Sequence, residues 1–402
     1  MTVGYPTPML PLAGLKVIDL SSVVFGPYCA QWFADLGADV IKLEAPEGDS
    51  TRQTGPGLEP GMAALFIGCN RGKRGLVLDL KTAEGQAALD RLLETADVLL
   101  HSIRPQKLKS LGLDPDALLA RHPRLVYAGL HGFGEDGPYG GLPAYDDVIQ
   151  GMSGVADLMA QSTGTPRYMP TIIADKVSGL TAGIAILAAV IRRQTTGKGG
   201  FVEIPMFETM VAFNFVEHFY GHHFSPPKGP LGYPRVMAPW RKPLETADGH
   251  LCMMAYTDAH WRGFFTVAGA PEHLADPRFA SISTRTQHID AIYGLAAALV
   301  RTKTTTEWLA LLEEAQVPCA KVIPLANLET DPHLTATGFF QRVETPAGPL
   351  NFPGVPVLFD GVRPPVSAPP HLGEHSRAVL AEAGFSEDDI AVLMASRAAR
   401  QG

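Results

Sequence analysis

The first third of the chain alternates short apolar runs with amphipathic ones, and this alternation constrains the fold more than any other feature. Residues 15–21 (LKVIDLS) read as a buried strand; Gly26 and Pro27 interrupt it, and CAQWFADLGA follows at helical spacing. Residues 38–44 (ADVIKLE) and 75–81 (GLVLDLK) are further strands. TAEGQAALDRLLETA has the pattern of an amphipathic helix, with Thr82 placed to cap it. DVLLHSI and RLVYAGL supply two more strands with helical material between them. Strands separated by helices predict an α/β chain with a parallel sheet in a Rossmann-like large domain.

Residues 176–193 are apolar and rich in small side chains, which predicts a long buried helix ending at Gly197-Lys198-Gly199-Gly200. FVEIPMF then reads as a strand and ETMVAFNFVEHFYG as a helix. SPPKGPLGYPRVMAPW, dense in proline and glycine, marks a boundary. A smaller α+β unit follows to about residue 331, with GHLCMMAY as a strand and WRGFFTVAG and TEWLALLEEA as helices. The remainder is proline-rich loop and short strand, closing with two short helices separated by Gly384.

Composition removes several function classes. With 402 residues the chain can bury a large core, and its net charge of -8 argues against nucleic acid as a partner. Cys29, Cys69, Cys252 and Cys319 show no metal-like spacing and read as reduced thiols. MTVGYPTPMLPLAG lacks the pattern of a signal peptide. The longest apolar run, residues 180–191, is short of the roughly 20 residues that span a bilayer. A cytoplasmic protein is expected, with no membrane partner.

Few residues announce chemistry. No G-x-G-x-x-G follows the first strand, and there is no P-loop and no G-x-S-x-G elbow. Gly197-Lys198-Gly199-Gly200 follows a helix and precedes a strand, the reverse of the order that aims a helix dipole at phosphate. His218 and His222 lie four residues apart beside His223, but no third ligand is evident, so ordinary hydrogen bonds are expected; His131 reads as structural. Asp175, in TIIADKVSGLTAG, stands where an apolar strand-like run meets the long helix. There it is either an N-cap, accepting backbone N–H bonds, or a carboxylate nucleophile exposed at the carboxyl edge of a sheet. Local sequence does not separate the two.

Several segments together resemble one family. PLAGLKVIDLS, GPYCAQWFADLGADVIKLEAPEGDSTR, NRGKRGLVLDLKTAEG, DVLLHSIRPQKLKSLGLD, HPRLVYAGLHGFGEDGPY, PAYDDVIQGMSGV, ADKVSG, TTGKGGFVEIPMFE and HLGEHSRAVLAEAGFSEDDI occur in the order and spacing of the family III CoA-transferases, the CaiB/BaiF family. The resemblance covers nearly the whole chain. It implies an enzyme that moves CoA from an acyl-CoA to a free carboxylic acid, with no tightly bound cofactor and no metal. It also implies ring-shaped subunits interlocked as a homodimer. The large domain would be residues 1–225 plus the C-terminal return 332–402, with the small domain at 226–331.

By the same resemblance Asp175 is the nucleophile, forming first an aspartyl-acyl anhydride and then an enzyme-CoA thioester, with backbone N–H groups near the helix start holding the oxyanions. CoA contacts would fall on Val24, Ala45, Leu78, Asp79, Leu80, Lys81, Ser102, Ile103, Arg104, Ala144, Tyr145 and Asp146. Lys81 and Arg104 would supply phosphate charge, with Lys73 and Arg74 nearby. His101-Ser102-Ile103 and Ala45 depart from the family pattern.

The α-methylacyl-CoA racemases share the resemblance, but they need a histidine where this chain has Tyr145, and a phenol is a poor base at neutral pH. An acyl-CoA hydrolase on the same scaffold is a second alternative, and a non-enzymatic nucleotide-binding scaffold a third. Arg235, Arg241 and Lys242 are candidate cations for a dicarboxylic substrate such as succinate, mesaconate or itaconate.

Overall fold

A computed structural model describes residues 10–402; the first nine residues assigned to the large domain lie outside that range. The strands at Lys16–Leu20 (β1), Asp39–Glu44 (β2), Arg74–Leu78 (β3), Val98–His101 (β4), Val126–His131 (β5) and Gly200–Pro205 (β6) form one sheet. Its order is β3-β2-β1-β4-β5-β6, with every neighbouring pair parallel. A short strand, Ala399–Arg400, adds antiparallel to β3 at one edge. This is Rossmann order, and the strand sequence reverses between β1 and β4.

The central strands are buried on both faces, as parallel strands between helical layers must be. One layer holds helix Ala83–Leu93 (α2) and the C-terminal helices Ser376–Glu382 and Glu387–Ala395. Leu89, Leu92, Leu93, Leu380, Ile390 and Leu393 share a core cluster with Ile41, Leu76, Leu99 and Tyr127 of the sheet. Thr82 caps α2 as expected, its hydroxyl accepting from Gly85 N at 3.0 Å.

The other layer packs Phe25–Asp35 (α1) against the long helix Ile173–Thr196. A β-carbon built on Gly179 would lie 2.9 Å from Phe25 O, so glycine permits this close crossing. The long helix ends on Gly197 in the left-handed conformation, as the glycine run predicts. By length and hydropathy alone this helix could cross a membrane, but its Ala174, Ser178, Ala182, Ile186 and Ala189 are buried within the protein.

The chain divides into two compact units. The first runs to Ser153 and resumes over Tyr168–Phe213 and Pro332–Gly402; the second comprises Gly154–Arg167 and Asn214–Asp331. Residues 154–167 and 214–225 cluster with the smaller unit, where the sequence expectation gives them to the larger. Two helices that sequence reading overlooked, Val155–Thr163 and Ile289–Val300, belong to it. Its core is aromatic: Trp261, Phe264, Phe265, Phe279 and Trp308 pack together, and Trp308 Nε1 donates to Val300 O at 2.7 Å. A three-stranded antiparallel sheet completes it.

Candidate active site

The reversal of strand order leaves a crevice at the carboxyl ends of the strands, where an open α/β sheet binds its ligands. Two cavities of the larger unit lie there. One, of about 470 Å³, is lined by Ser22 and Val23 after β1, by Ser102 and Arg104 after β4, by His131 at the end of β5, and by Asp175. The other, of about 260 Å³, is lined by Ala45 and Asp49 after β2, by Leu78, Asp79, Leu80 and Lys81 after β3, and by Ile103. Ser22 and Ile103 line both.

The loop after β1 is held tightly. Val23 sits at φ +69°, in the left-handed region that a β-branched residue avoids. Its N–H donates to Asp49 Oδ2 at 3.2 Å, and Asp49 also accepts from Lys42 Nζ at 3.0 Å. Lys42 bonds Ser21 O, and Ser22 N donates to Ser102 Oγ at 3.0 Å, tying the loops after β1 and β4 together. Burial opposes the Lys42 ammonium, but Asp19, Asp49 and Glu44 outweigh it and raise its pKa.

Asp175 occupies the first turn of the long helix, 8% exposed. The segment before it is irregular, not the strand expected from its apolar residues. Asp175 is not the cap either. Asp146, at the start of helix Asp146–Met152, holds the helix start instead, its Oδ1 accepting from Ala174 N at 2.7 Å and from Asp175 N at 3.1 Å. Gln150 Nε2 holds the other oxygen at 2.5 Å. Burial first, and the Asp146 charge second, push the Asp175 carboxyl up to about 7.

This arrangement corrects two expectations. Asp146 lines neither cavity and is committed to the helix start. The N–H groups expected to face an oxyanion are also spoken for: those of Ala174 and Asp175 by Asp146, those of Ile173 and Lys176 by Thr171 O and Ile172 O.

The remaining positions named from the sequence divide cleanly. Ala45, Leu78, Asp79, Leu80 and Lys81 line the smaller cavity; Ser102, Arg104, Ala144 and Tyr145 line the larger; Ile103 lines both. Val24 is buried, and its neighbours Val23 and Phe25 line the larger cavity instead. Lys73 is no phosphate ligand: its ammonium is buried against Asp19 Oδ2 at 2.9 Å, Pro27 O and Asn70 Oδ1. Arg74 is likewise engaged, by Asp39 and Glu382. Lys107, which sequence reading passed over, lines the larger cavity beside Arg104.

His101 and His218 make structural hydrogen bonds. His101 ends β4 with Nδ1 accepting from Ile103 N at 3.1 Å; burial, then His131, lowers its pKa to about 3, so it stays neutral. His218 Nδ1 accepts from Tyr233 N at 3.2 Å, the ordinary bond expected. His131 does more than the sequence suggested. It lines the larger cavity, pairs with Glu203 at 3.2 Å, and forms with Glu135 and Glu203 a trio whose ligand atoms lie within 4.8 Å of one another. Both carboxylates also receive backbone donors: Glu203 from Glu135 N, Glu135 from Gly141 N. Gly132-Phe133-Gly134-Glu135-Asp136-Gly137 spells a G-x-G-x-x-G run after β5, but it opens into turns, not a helix, and is no dinucleotide fingerprint. The four cysteines are free thiols, Cys29 and Cys69 buried.

In the smaller unit Arg241 and Lys242 line a cavity of about 40 Å³ with Tyr293, and the Lys242 ammonium lies 5.4 Å from the Trp240 ring centre. Arg235 is buried at 4% exposure, its guanidinium 4.9 Å from the Tyr256 ring centre and 5.9 Å from that of Tyr293.

Comparison with known proteins decides the family. The profile of CoA-transferase family III matches residues 12–376. The chain belongs to CoA-transferase family III. The transferase is 31% identical over 388 residues to the probable fatty acyl-CoA transferase Rv3272 of Mycobacterium tuberculosis, covering 93% of this chain and 98% of the relative. It is 33% identical over 384 residues to a succinate–glutarate CoA-transferase of Agrobacterium fabrum, covering 92% and 95%. The crystal structure of a D175A mutant of Rv3272 superposes on the transferase with a TM-score of 0.82 at 30% identity, over 93% of this chain and 100% of the other.

Proposed function

We propose that this transferase works by covalent catalysis at Asp175. The observation that carries the reading is a buried carboxylate in the first turn of a helix, lining a cavity of about 470 Å³ at the switch point of the sheet. An Asp175 oxygen attacks the acyl-CoA carbonyl, the C–S bond breaks, and CoA leaves as thiolate, giving an aspartyl-acyl anhydride. The thiolate attacks the Asp175 carbonyl and expels the first acid, leaving a thioester between Asp175 and CoA. The acceptor carboxylate attacks that thioester, CoA leaves again, and thiolate attack on the acceptor acyl group of the new anhydride releases the product and restores Asp175.

CoA is taken to bridge the two cavities. Its adenosine end fits the smaller one, with Ala45, Leu78, Asp79, Leu80, Lys81 and Ile103; its pantetheine passes Ser22 and Ser102 towards Asp175. Lys81, Arg104 and Lys107 are exposed cations beside this route and meet the phosphates. The acids include dicarboxylates such as succinate, mesaconate or itaconate; the succinate–glutarate specificity in the name of one relative favours this class. A racemase is disfavoured because the position that would hold its histidine is Tyr145, 68% exposed. An acyl-CoA hydrolase differs only in that water resolves the anhydride, and omitting the acceptor acid distinguishes it.

The protein acts in the cytoplasm as an interlocked homodimer. Leu180, Ile184, Ala188 and Ile191 form an exposed apolar stripe along the long helix, which favours burial against a second copy. The central test is trapping. With acyl-CoA and hydroxylamine, or borohydride, mass spectrometry finds Asp175 as its hydroxamate or its reduced alcohol. Turnover with an unmodified Asp175 peptide rules the covalent route out.

A further inference from the structure

Much of the wall of the larger cavity is a loop. Residues 132–145 run from the end of β5 to helix Asp146–Met152 with no helix or strand of their own, and Phe133, Glu135 and residues 141–145 line the cavity. The ends of the loop meet: a β-carbon built on Gly132 would lie 2.4 Å from that of Ala144. A closed loop of this kind offers its backbone few internal partners, and it keeps one shape only where side chains supply the rest. Here carboxylates supply them. Glu203 Oε1, from β6, accepts from Glu135 N at 3.0 Å and from His131 Nδ1 at 3.2 Å. An ionised carboxylate only accepts, so His131 carries its hydrogen on Nδ1. Glu208 Oε1 accepts from Gly134 N at 3.0 Å, and Glu135 Oε1 reaches on to Gly141 N at 3.2 Å. Phe133 and Tyr139 pack with Phe207 behind this grip, the Phe133 ring centre 5.4 Å from that of Tyr139 and 5.8 Å from that of Phe207. The loop then runs into Asp146, which holds the N–H groups of Ala174 and Asp175.

We infer that Glu203 is a positioning residue: by gripping the loop at Glu135 it fixes the wall against which the acyl group lies, and so sets which acyl chains the enzyme accepts. Glu203 does not line the cavity itself; it acts through Glu135 and His131, which do. Because its oxygen is an acceptor for a backbone donor and a buried imidazole, removing it leaves both unpaired and frees the start of the loop. His131, Glu135 and Glu203 are residue types that also bind metals, but the oxygens a cation would take here accept backbone N–H groups. The inference rests on the acyl end of the acyl-CoA occupying the larger cavity, as in the proposed function, and deepens that reading by naming what shapes the pocket.

The test is a selectivity profile. Values of kcat/KM are measured for straight-chain acyl-CoAs from acetyl to octanoyl with one fixed acceptor acid, well below the Tm of every variant. Glu203→Ala removes the acceptor from both donors, and the ratio between the best and the poorest chain should shrink roughly 5- to 20-fold. Glu203→Gln keeps a carbonyl oxygen for both donors and should keep most of that ratio. Adenosine 3′,5′-bisphosphate, the nucleotide end of CoA, should bind both variants as it binds the parent, because no residue of the loop lines the smaller cavity. Melting curves identify a variant that fails to fold; should Glu203→Ala do so, Glu208→Ala, which frees only Gly134, carries the test with a smaller shift of the same sign. The inference is overturned if the parent has no chain preference to lose, if Glu203→Ala lowers Tm and keeps the ratio, or if Glu203→Gln collapses the ratio as far as Glu203→Ala does. It is also overturned if nucleotide binding falls along with the ratio, or if a chelator erases the parent's preference and a divalent cation returns it. Leu142→Ala, which changes the wall directly, separates the two readings. A profile altered by Leu142→Ala but not by Glu203→Ala ends the inference and keeps the larger cavity as the acyl site; a profile altered by neither ends both.

Discussion

At the scale of single residues the proposed covalent route turns on two carboxylates joined through the backbone. Asp146 holds the first turn of the helix that carries Asp175, and its charge helps burial keep the Asp175 carboxyl protonated up to about 7. A nucleophile must be ionised, so kcat/KM for acyl-CoA should rise about tenfold per pH unit below 7 and level off above it. Asp146→Asn retains an oxygen for the helix start but loses the charge, and should move that limb to lower pH. A limb that stays in place would assign it to another group. The same shift has a consequence for stability. Because the folded-state pKa lies above the ordinary 3.8, the stabilisation it represents is complete below about pH 4 and lost as pH rises through 7. Asp175→Asn should therefore be more stable than the parent at pH 8, by on the order of 3 kcal/mol, and comparable to it at pH 4. Urea titrations at the two pH values measure the difference.

At the scale of elements, the strand ends and the loops beyond them are fixed by buried ion pairs. Lys73 and Asp19 lie beneath the loop after β1, and Lys42 and Asp49 hold the left-handed Val23 within it. Lys73→Met leaves Asp19 charged, buried and unpaired, and should cost about 3–5 kcal/mol in chemical denaturation. The crossing of α1 with the long helix depends on Gly179. Gly179→Val would drive its side chain into the Phe25 carbonyl and should cost about 1–3 kcal/mol, with a lower Tm and weakened transfer activity, since both helices border the larger cavity. Of the overlooked helices, Val155–Thr163 spans only 9 residues, and the 12-residue Ile289–Val300 is apolar over most of its length, a composition that a buried strand shares.

At the scale of the whole molecule, charge and exposed apolar surface make the remaining predictions. Lys81→Ala and Arg104→Ala should each raise KM for acyl-CoA several-fold with a smaller change in kcat, and the effect should shrink as salt rises. An unchanged KM in both would remove the phosphates from this end of the crevice. The stripe of Leu180, Ile184 and Ile191 should be covered in solution. Light scattering is expected to find a dimer for the parent and monomer or aggregate for Ile184→Glu.

The sequence alone determined the class of fold, the six parallel strands of the sheet and the cap of α2, because period and turn chemistry are local properties of a chain. It also singled out Asp175 as the candidate nucleophile through a resemblance spread over many segments. What it could not determine were pairings between distant positions. Lys73 and Arg74 look like free cations in a row of letters, but Asp19, Asp39 and Glu382 claim them. Asp175 looks like a cap, but Asp146, 29 positions earlier, takes that role. Burial and charge act through space, so only the folded chain decides which charged side chains are engaged with one another and which line a cavity.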